Sequence, residues 1–192
     1  MDKNEVIQIT LKLIKEKKLE GASVGEIIKI MNTSAGSLYY YFKSKNEILL
    51  SLLEYFKTEM KNRIQSISFK PTDTTADELR AIFNSQLQTF TNKPAIVSVI
   101  FAESIFHFDR SLSNKVIEIM DLMHQYIKAN IEKGQKAGQY SKLIDVNTLT
   151  TIIIGGVRLT ILRWKISGHK SNLMKDGKAV LEGILKMIET NK

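Results

Sequence analysis

The residues best placed to do chemistry in this chain lie between Ser23 and Lys45, in the stretch SVGEIIKIMNTSAGSLYYYFKSK. Thr33, Ser34, Ala35, Gly36 and Ser37 are small or hydroxylic, and Tyr39, Tyr40 and Tyr41 follow closely. On a helix they crowd hydroxyls, phenols and bare backbone onto about two turns, with too little apolar bulk for a core. Hydroxyl groups donate to phosphate oxygens and base edges, and a glycine lets backbone approach closely, which suits a surface that meets DNA. Gly36 costs about 1 kcal/mol of helix stability relative to alanine, so close approach is a reason to accept it. No arginine falls in the stretch. The strongest guanine reader is therefore missing, and discrimination is expected from methyl contacts, water and DNA shape.

Positioning these residues requires short helices. A first helix is expected over about Asp2 to Leu19, stopped by Gly21. Ser23 with Glu26 three residues later is a capping box that opens a second helix. Asn32 suits a left-handed turn, Ser34 an N-cap, and Ala35 to Tyr41 a third helix with Leu38 and Phe42 as anchors. Ser44 with Glu47 opens a long fourth helix, whose Ile48, Leu49, Leu52, Leu53, Phe56, Met60 and Ile64 recur at helical spacing towards about Ile67. Five further helices are expected. The fifth is capped by Thr75 with Glu78. The sixth runs from Ala95 to about Phe106, with Pro94 near its first turn. The seventh runs from Ser111 to Gly138, the eighth from an Asp145 cap to Ile166, and the ninth from Met174 to Thr190.

The fold class is thus all-α: an N-terminal helix-turn-helix head at 1–46, joined by long helix four to a body at 47–192, about nine helices in total. The 192 residues carry only two prolines and a net charge of +8. Residues 1–50 hold eight lysines against six acids, so most of the excess lies in the body, as generally basic surface or as a DNA footprint. There is no cysteine, hence no disulfide framework, thiol nucleophile or thiolate metal site. His107 and Glu103, four apart, could hold a metal or form a surface pair. No nucleophile–base arrangement, phosphate loop or paired-carboxylate site stands out, so neither catalysis nor a cofactor is expected. The longest apolar stretch, Thr151 to Leu162, contains Gly155, Gly156 and Arg158, and is read as too short and polar to span a membrane. A cytoplasmic, nucleoid-associated protein is expected.

Over Gly21 to Leu49 the chain resembles the TetR family of bacterial transcriptional regulators, through Gly21, Ser23, Ile27, Leu38, Tyr39, Tyr41, Phe42, Ser44, Lys45 and Leu49. It departs from the family pattern at Ile28 and at Met31-Asn32. The resemblance implies that helix three enters the major groove, with Thr33, Ser34, Ala35, Gly36, Ser37 and Tyr40 facing bases or nearby phosphates. It implies phosphate contacts for Ser23, Tyr39, Tyr41 and Lys45. Tyr39 can also serve in packing.

The resemblance further implies a homodimer built on the last two helices. Ile152, Gly155, Gly156, Leu159, Leu162, Val180, Ile184 and Met187 are the interface candidates. The alternative is that helix eight is buried in its own monomer. A pocket for a small-molecule effector is implied in the body, with Phe83, Phe90, Phe101, Ser104, His107, Phe108, Met120, Met123, His124 and Arg158 as candidates, although each aromatic alone reads as ordinary core. The implied function is a ligand-released repressor on a palindromic double-stranded operator. The alternative is a DNA-binding architectural or division-type protein of the same fold without an inducer.

Overall fold

Capping side chains explain most of the places where this chain breaks into helices. The computed structural model describes residues 2–102 and 109–190. Among the described residues it holds α1 (Lys3–Gly21), α2 (Val24–Met31), α3 (Ala35–Tyr41), α4 (Lys45–Gln65), α5 (Thr75–Asn92), α6 (Pro94–Ile100), α7 (Arg110–Lys136), α8 (Val146–Ile166) and α9 (Leu173–Ile188). Ser23 accepts the Glu26 amide at 3.2 Å, Ser34 the Ser37 amide at 3.1 Å and Asn172 the Lys175 amide at 3.0 Å, while Asp145 takes both the Asn147 and Thr148 amides at 3.0 Å. Each bond satisfies an N–H that the helix itself leaves unpaired.

The expected Thr75–Glu78 box forms one residue earlier. Asp77 accepts the Thr74 amide at 3.0 Å and hydroxyl at 2.7 Å, and its own amide donates back to Thr74 at 3.1 Å. Thr75 and Glu78 are taken by tertiary partners. The Thr75 amide and hydroxyl donate to the Gln139 side-chain oxygen at 2.9 and 2.7 Å, and Glu78 accepts from Asn130 and Lys133. The last helix ends at Ile188 rather than Thr190. There the chain turns extended, and the Ser141 amide bonds the Ile188 carbonyl while the Thr190 amide bonds Gln139. The sixth helix is described as Pro94–Ile100, and positions 103–106 of the expected span lie outside the described residues.

Packing divides the chain into two compact units, Met1–Glu59 with Lys93–Glu118, and Met60–Asn92 with Ile119–Lys192. In the first, α1 packs on α2 and α6, and α2 on α3. Its interior holds Val6, Leu13, Ile27, Leu38, Ile48 and Phe56. Lys115 bridges Glu54 and Glu118, and Lys57 also pairs with Glu118. Hydrogen bonds from the two ammonium groups hold the Glu118 carboxyl down to about 2. Glu54 is exposed and Lys57, Lys115 and Glu118 are half-buried, so solvent screening keeps the contribution of the network modest.

In the second unit α9 packs on α8 and on α5. It runs antiparallel to α5: Gly177 faces Leu87 near one end, and Glu182 receives Arg80 at 2.7 and 3.0 Å near the other. Contrary to expectation, α8 is long and apolar enough, by length and composition, to cross a membrane. Its Leu149, Ile153, Val157, Ile161 and Trp164 are buried within the chain, which accounts for one side of that apolarity.

A Cβ at Gly134 would stand 2.2 Å from the Tyr140 ring and 2.8 Å from the Thr75 hydroxyl oxygen. The ring is buried and cannot step aside. Gly134→Ala is therefore expected to lower stability by about 1–3 kcal/mol despite alanine's better helix propensity. A thermal melt should show a fall of roughly 2–4 °C per kcal/mol, and an unchanged or raised melt would contradict the packing described.

Candidate nucleic-acid interface

Of the seven residues in α3 only Leu38 is buried, and Phe42 is buried just beyond its end. Everything else on the helix faces outward. Thr33, Ser34, Gly36, Ser37, Tyr40 and Tyr41 line one open groove. Tyr40 is 85% exposed and meets the Tyr41 ring edge-on, with centroids 5.1 Å apart. A large aromatic with so little cover has no packing role within the chain. Tyr39 and Tyr41 are exposed as well.

The turn that aims this helix is built from Asn32, which adopts the left-handed conformation at φ 47° and donates its amide to Lys29 at 3.3 Å. Ser34 caps α3 and its hydroxyl lies 2.9 Å from that of Ser37. A Cβ on Gly36 would find only the Ser34 hydroxyl oxygen, at 3.9 Å. No described neighbour requires a glycine there, so the open backbone is available to something outside. Ser23 accepts the Glu26 amide and keeps its own hydrogen to donate.

The structure thus brings Thr33, Ser34, Ala35, Gly36, Ser37, Tyr40 and Tyr41 to one exposed surface, with Tyr39 on the same helix and Ser23 at the start of α2. Lys45 stands apart: its Nζ donates to the Leu19 carbonyl at 2.7 Å. Gly25, exposed bare backbone beside Ser23, was passed over in reading the sequence. The signal was there, since a glycine at the second position of an eight-residue helix is a poor helix former.

The two C-terminal helices carry a second exposed surface. Ile152, Gly155, Leu159, Leu162 and Ile166 recur at three- and four-residue spacing along α8. Leu159 is 57% and Ile166 75% exposed, and Met187 on α9 is 73% exposed. Among the described residues, nothing beyond its own stretch of helix lies within 4 Å of a Cβ placed on Gly155 or Gly183. Gly156, Val180 and Ile184 meet one another where α8 packs on α9. A Cβ on Gly156 would meet Ile184 at 3.3 Å and Val180 at 3.2 Å, so these residues seal α8 against α9 inside one chain. Leu162 and Val180 are half-buried. Ile166 and Gly183 extend the outward stripe beyond the residues singled out from sequence.

The expected pocket residues are scattered in burial. Phe83 and Phe90 are buried on α5, Met123 and His124 half-buried on α7, and Met120 exposed. Phe101 belongs to the first unit and is half-buried. Ser104, His107 and Phe108 lie outside the described residues. Burial pushes the Arg158 guanidinium down from its ordinary value.

A capped, tyrosine-rich helix held outward by a buried leucine, in a chain whose described elements are all helices, is the form in which a DNA-binding transcriptional regulator presents a reading helix. Residues 6–52 match the bacterial regulatory proteins of the tetR family, and residues 53–187 match the C-terminal region of YsiA-like proteins. The chain belongs to the tetR family. It is 23% identical over 180 residues to the fatty acid metabolism regulator protein of Bacillus subtilis, covering 93% of this chain and 91% of that one. It superimposes with a TM-score of 0.78 and 21% identity on the transcriptional regulator FadR from Bacillus subtilis in complex with stearoyl-CoA, over 96% and 98% of the two chains. It is also 21% identical over 169 residues to the nucleoid occlusion factor SlmA of Actinobacillus pleuropneumoniae, covering 88% and 83%.

Because Tyr40 has no packing role, Tyr40→Ala should leave stability within about 0.5 kcal/mol of the unaltered chain. It should narrow the affinity gap between the preferred site and single-base variants, as read by competition gel shift. A melt lowered by several degrees, or an unchanged ranking of site variants, would place Tyr40 outside the reading surface.

Proposed function

We propose that this chain is a repressor that binds a palindromic operator as a homodimer and leaves it when a lipophilic small molecule enters the helical body. The observation that carries the DNA half is the outward face of α3, where Ser37, Tyr40 and Tyr41 stand exposed along one open groove. Ser23, Tyr39 and Tyr41 donate to phosphates, while Thr33, Ser34, Ala35, Gly36, Ser37 and Tyr40 face the groove. The α8–α9 stripe of Ile152, Gly155, Leu159 and Met187 supports dimerisation, with Gly155 and Gly183 permitting close helix approach. A dimer spaces two α3 helices for half-sites about 34–36 Å apart.

For the effector the first candidate is a long-chain acyl-coenzyme A, because a relative matched over nearly the whole chain was solved with stearoyl-CoA. In the second unit, Phe83, Phe90, Met120, Met123, His124 and Arg158 are the residues proposed to meet it. Arg158 supplies the cation that a phosphorylated ligand needs. Similarity to a nucleoid occlusion factor keeps a second reading in view, a DNA-binding division-type protein with no inducer.

A gel shift on DNA from upstream of the chain's own gene tests the reading. A shift that survives non-specific competitor and is abolished by stearoyl-CoA supports the inducible repressor. A shift that survives both favours the second reading. Stearoyl-CoA at a hundredfold over its dissociation constant should add about 2.7 kcal/mol of stability in a thermal melt. Leu159→Lys combined with Met187→Lys should yield a folded monomer by light scattering that no longer shifts the operator. A dimer that persists would move the interface elsewhere.

A further inference from the structure

The outward face of α3 is short of the groups that name a purine. In the major groove guanine is singled out by arginine or lysine bridging its ring nitrogen and carbonyl, and adenine by an amide bridging its ring nitrogen and amine. α3 reads Ala-Gly-Ser-Leu-Tyr-Tyr-Tyr and carries none of these side chains, nor a carboxylate to accept from the cytosine amine. The Glu26 carboxylate on α2 is engaged by Lys17. Ser34 accepts the Ser37 amide at 3.1 Å, and the two hydroxyl oxygens lie 2.9 Å apart, which leaves one hydroxyl hydrogen between the pair. A lone phenol donor from Tyr40 or Tyr41 finds an acceptor on guanine, adenine and thymine alike. One feature of a base edge needs no hydrogen bond: the 5-methyl group of thymine, which is read by apolar contact.

Methyl groups stand where α3 begins. Ala35 is exposed as its first residue, and half-buried Thr33 lines the open groove just before it. Gly36 follows Ala35 and leaves a notch beside it, because a Cβ there would find only the Ser34 hydroxyl oxygen, at 3.9 Å. We propose that the methyl groups of Thr33 and Ala35 read thymine 5-methyl groups, and that thymines rather than guanines specify the preferred half-site. This rests on the reading of α3 as the surface that meets DNA. Asn32 and Lys43 flank α3 in sequence and Lys29 lies on α2, all three exposed and of purine-reading types, so purine analogues belong in the test.

Duplexes are selected from random-sequence DNA with the full chain. The enriched site is then resynthesised with uracil for thymine, which removes only the methyl group, or with 7-deaza purines, which lack the ring-nitrogen acceptor. Affinities are read by fluorescence anisotropy at one fixed salt concentration. We expect uracil to weaken binding about fourfold for each methyl the protein covers, multiplied over both half-sites, and the 7-deaza duplexes to bind as the parent does. A loss of about fivefold or more on a 7-deaza duplex, the mark of a bidentate purine contact, overturns the proposal, as does equal affinity for uracil and thymine duplexes. Uracil placed at single positions should confine the loss to a few of them in each half-site, whereas a loss spread evenly along the site marks altered DNA shape and overturns the proposal. The chain carrying Thr33→Ser and Ala35→Gly together, which keeps the hydroxyl and removes both methyls, should bind thymine and uracil duplexes alike. A full preference for thymine in that chain overturns the assignment, and if it does not fold the single-position series on the unaltered chain decides. Failure to enrich any sequence sinks the reading of α3 itself, whereas an enriched site that tolerates uracil sinks only this proposal.

Discussion

A helix of seven residues cannot hold itself together in water, because nucleation costs more than its few hydrogen bonds return. α3 is such a helix, and six of its seven residues face solvent. Its existence depends on Leu38, fully buried, and on Phe42 immediately after it. The Ser34 cap and the left-handed Asn32 remove the remaining ambiguity about where it starts and which way it points. Function follows from that economy: with one inward residue sufficient to seat the helix, the others are free to be chosen for what they present.

The rest of the first unit is organised around seating that helix. α2 carries it, α1 supports α2, and Lys45 and the Lys17–Glu26 ion pair tie α1 to its neighbours. α4 then leaves this unit and continues into the second, as α7 does.

Much of the head was legible in sequence because its signals are local. Ser23, Ser34 and Asn32 each declare a cap or turn within three residues, and α3 has the bounds expected for it. α5 shows where local rules run out. Thr75–Glu78 and Thr74–Asp77 fit the capping spacing equally well, and Gln139, Asn130 and Lys133 decide between them from more than fifty residues away. The hydrogen bond from Lys45 to the Leu19 carbonyl was equally unreadable, since the two residues lie 26 apart and no local pattern links them. On α8 and α9 the apolar residues were recognised, but sequence spacing does not say which face meets the other helix of the same chain. Gly156 and Ile184 approach each other between α8 and α9, while Ile166 is exposed on the outward side and Gly183 has open space beside it.

Among the described residues, a hydroxyl- and phenol-rich surface on α3 and an apolar one along α8 and α9 stand exposed. A dimeric DNA-binding regulator explains both at once, one by DNA and the other by a second copy. The most direct test is amide hydrogen exchange of the full chain with and without its upstream DNA, read by mass spectrometry. The account predicts that DNA slows exchange chiefly over residues 33–42 and at the start of α2. Slowing confined to the second unit, with residues 33–42 unchanged, would contradict it.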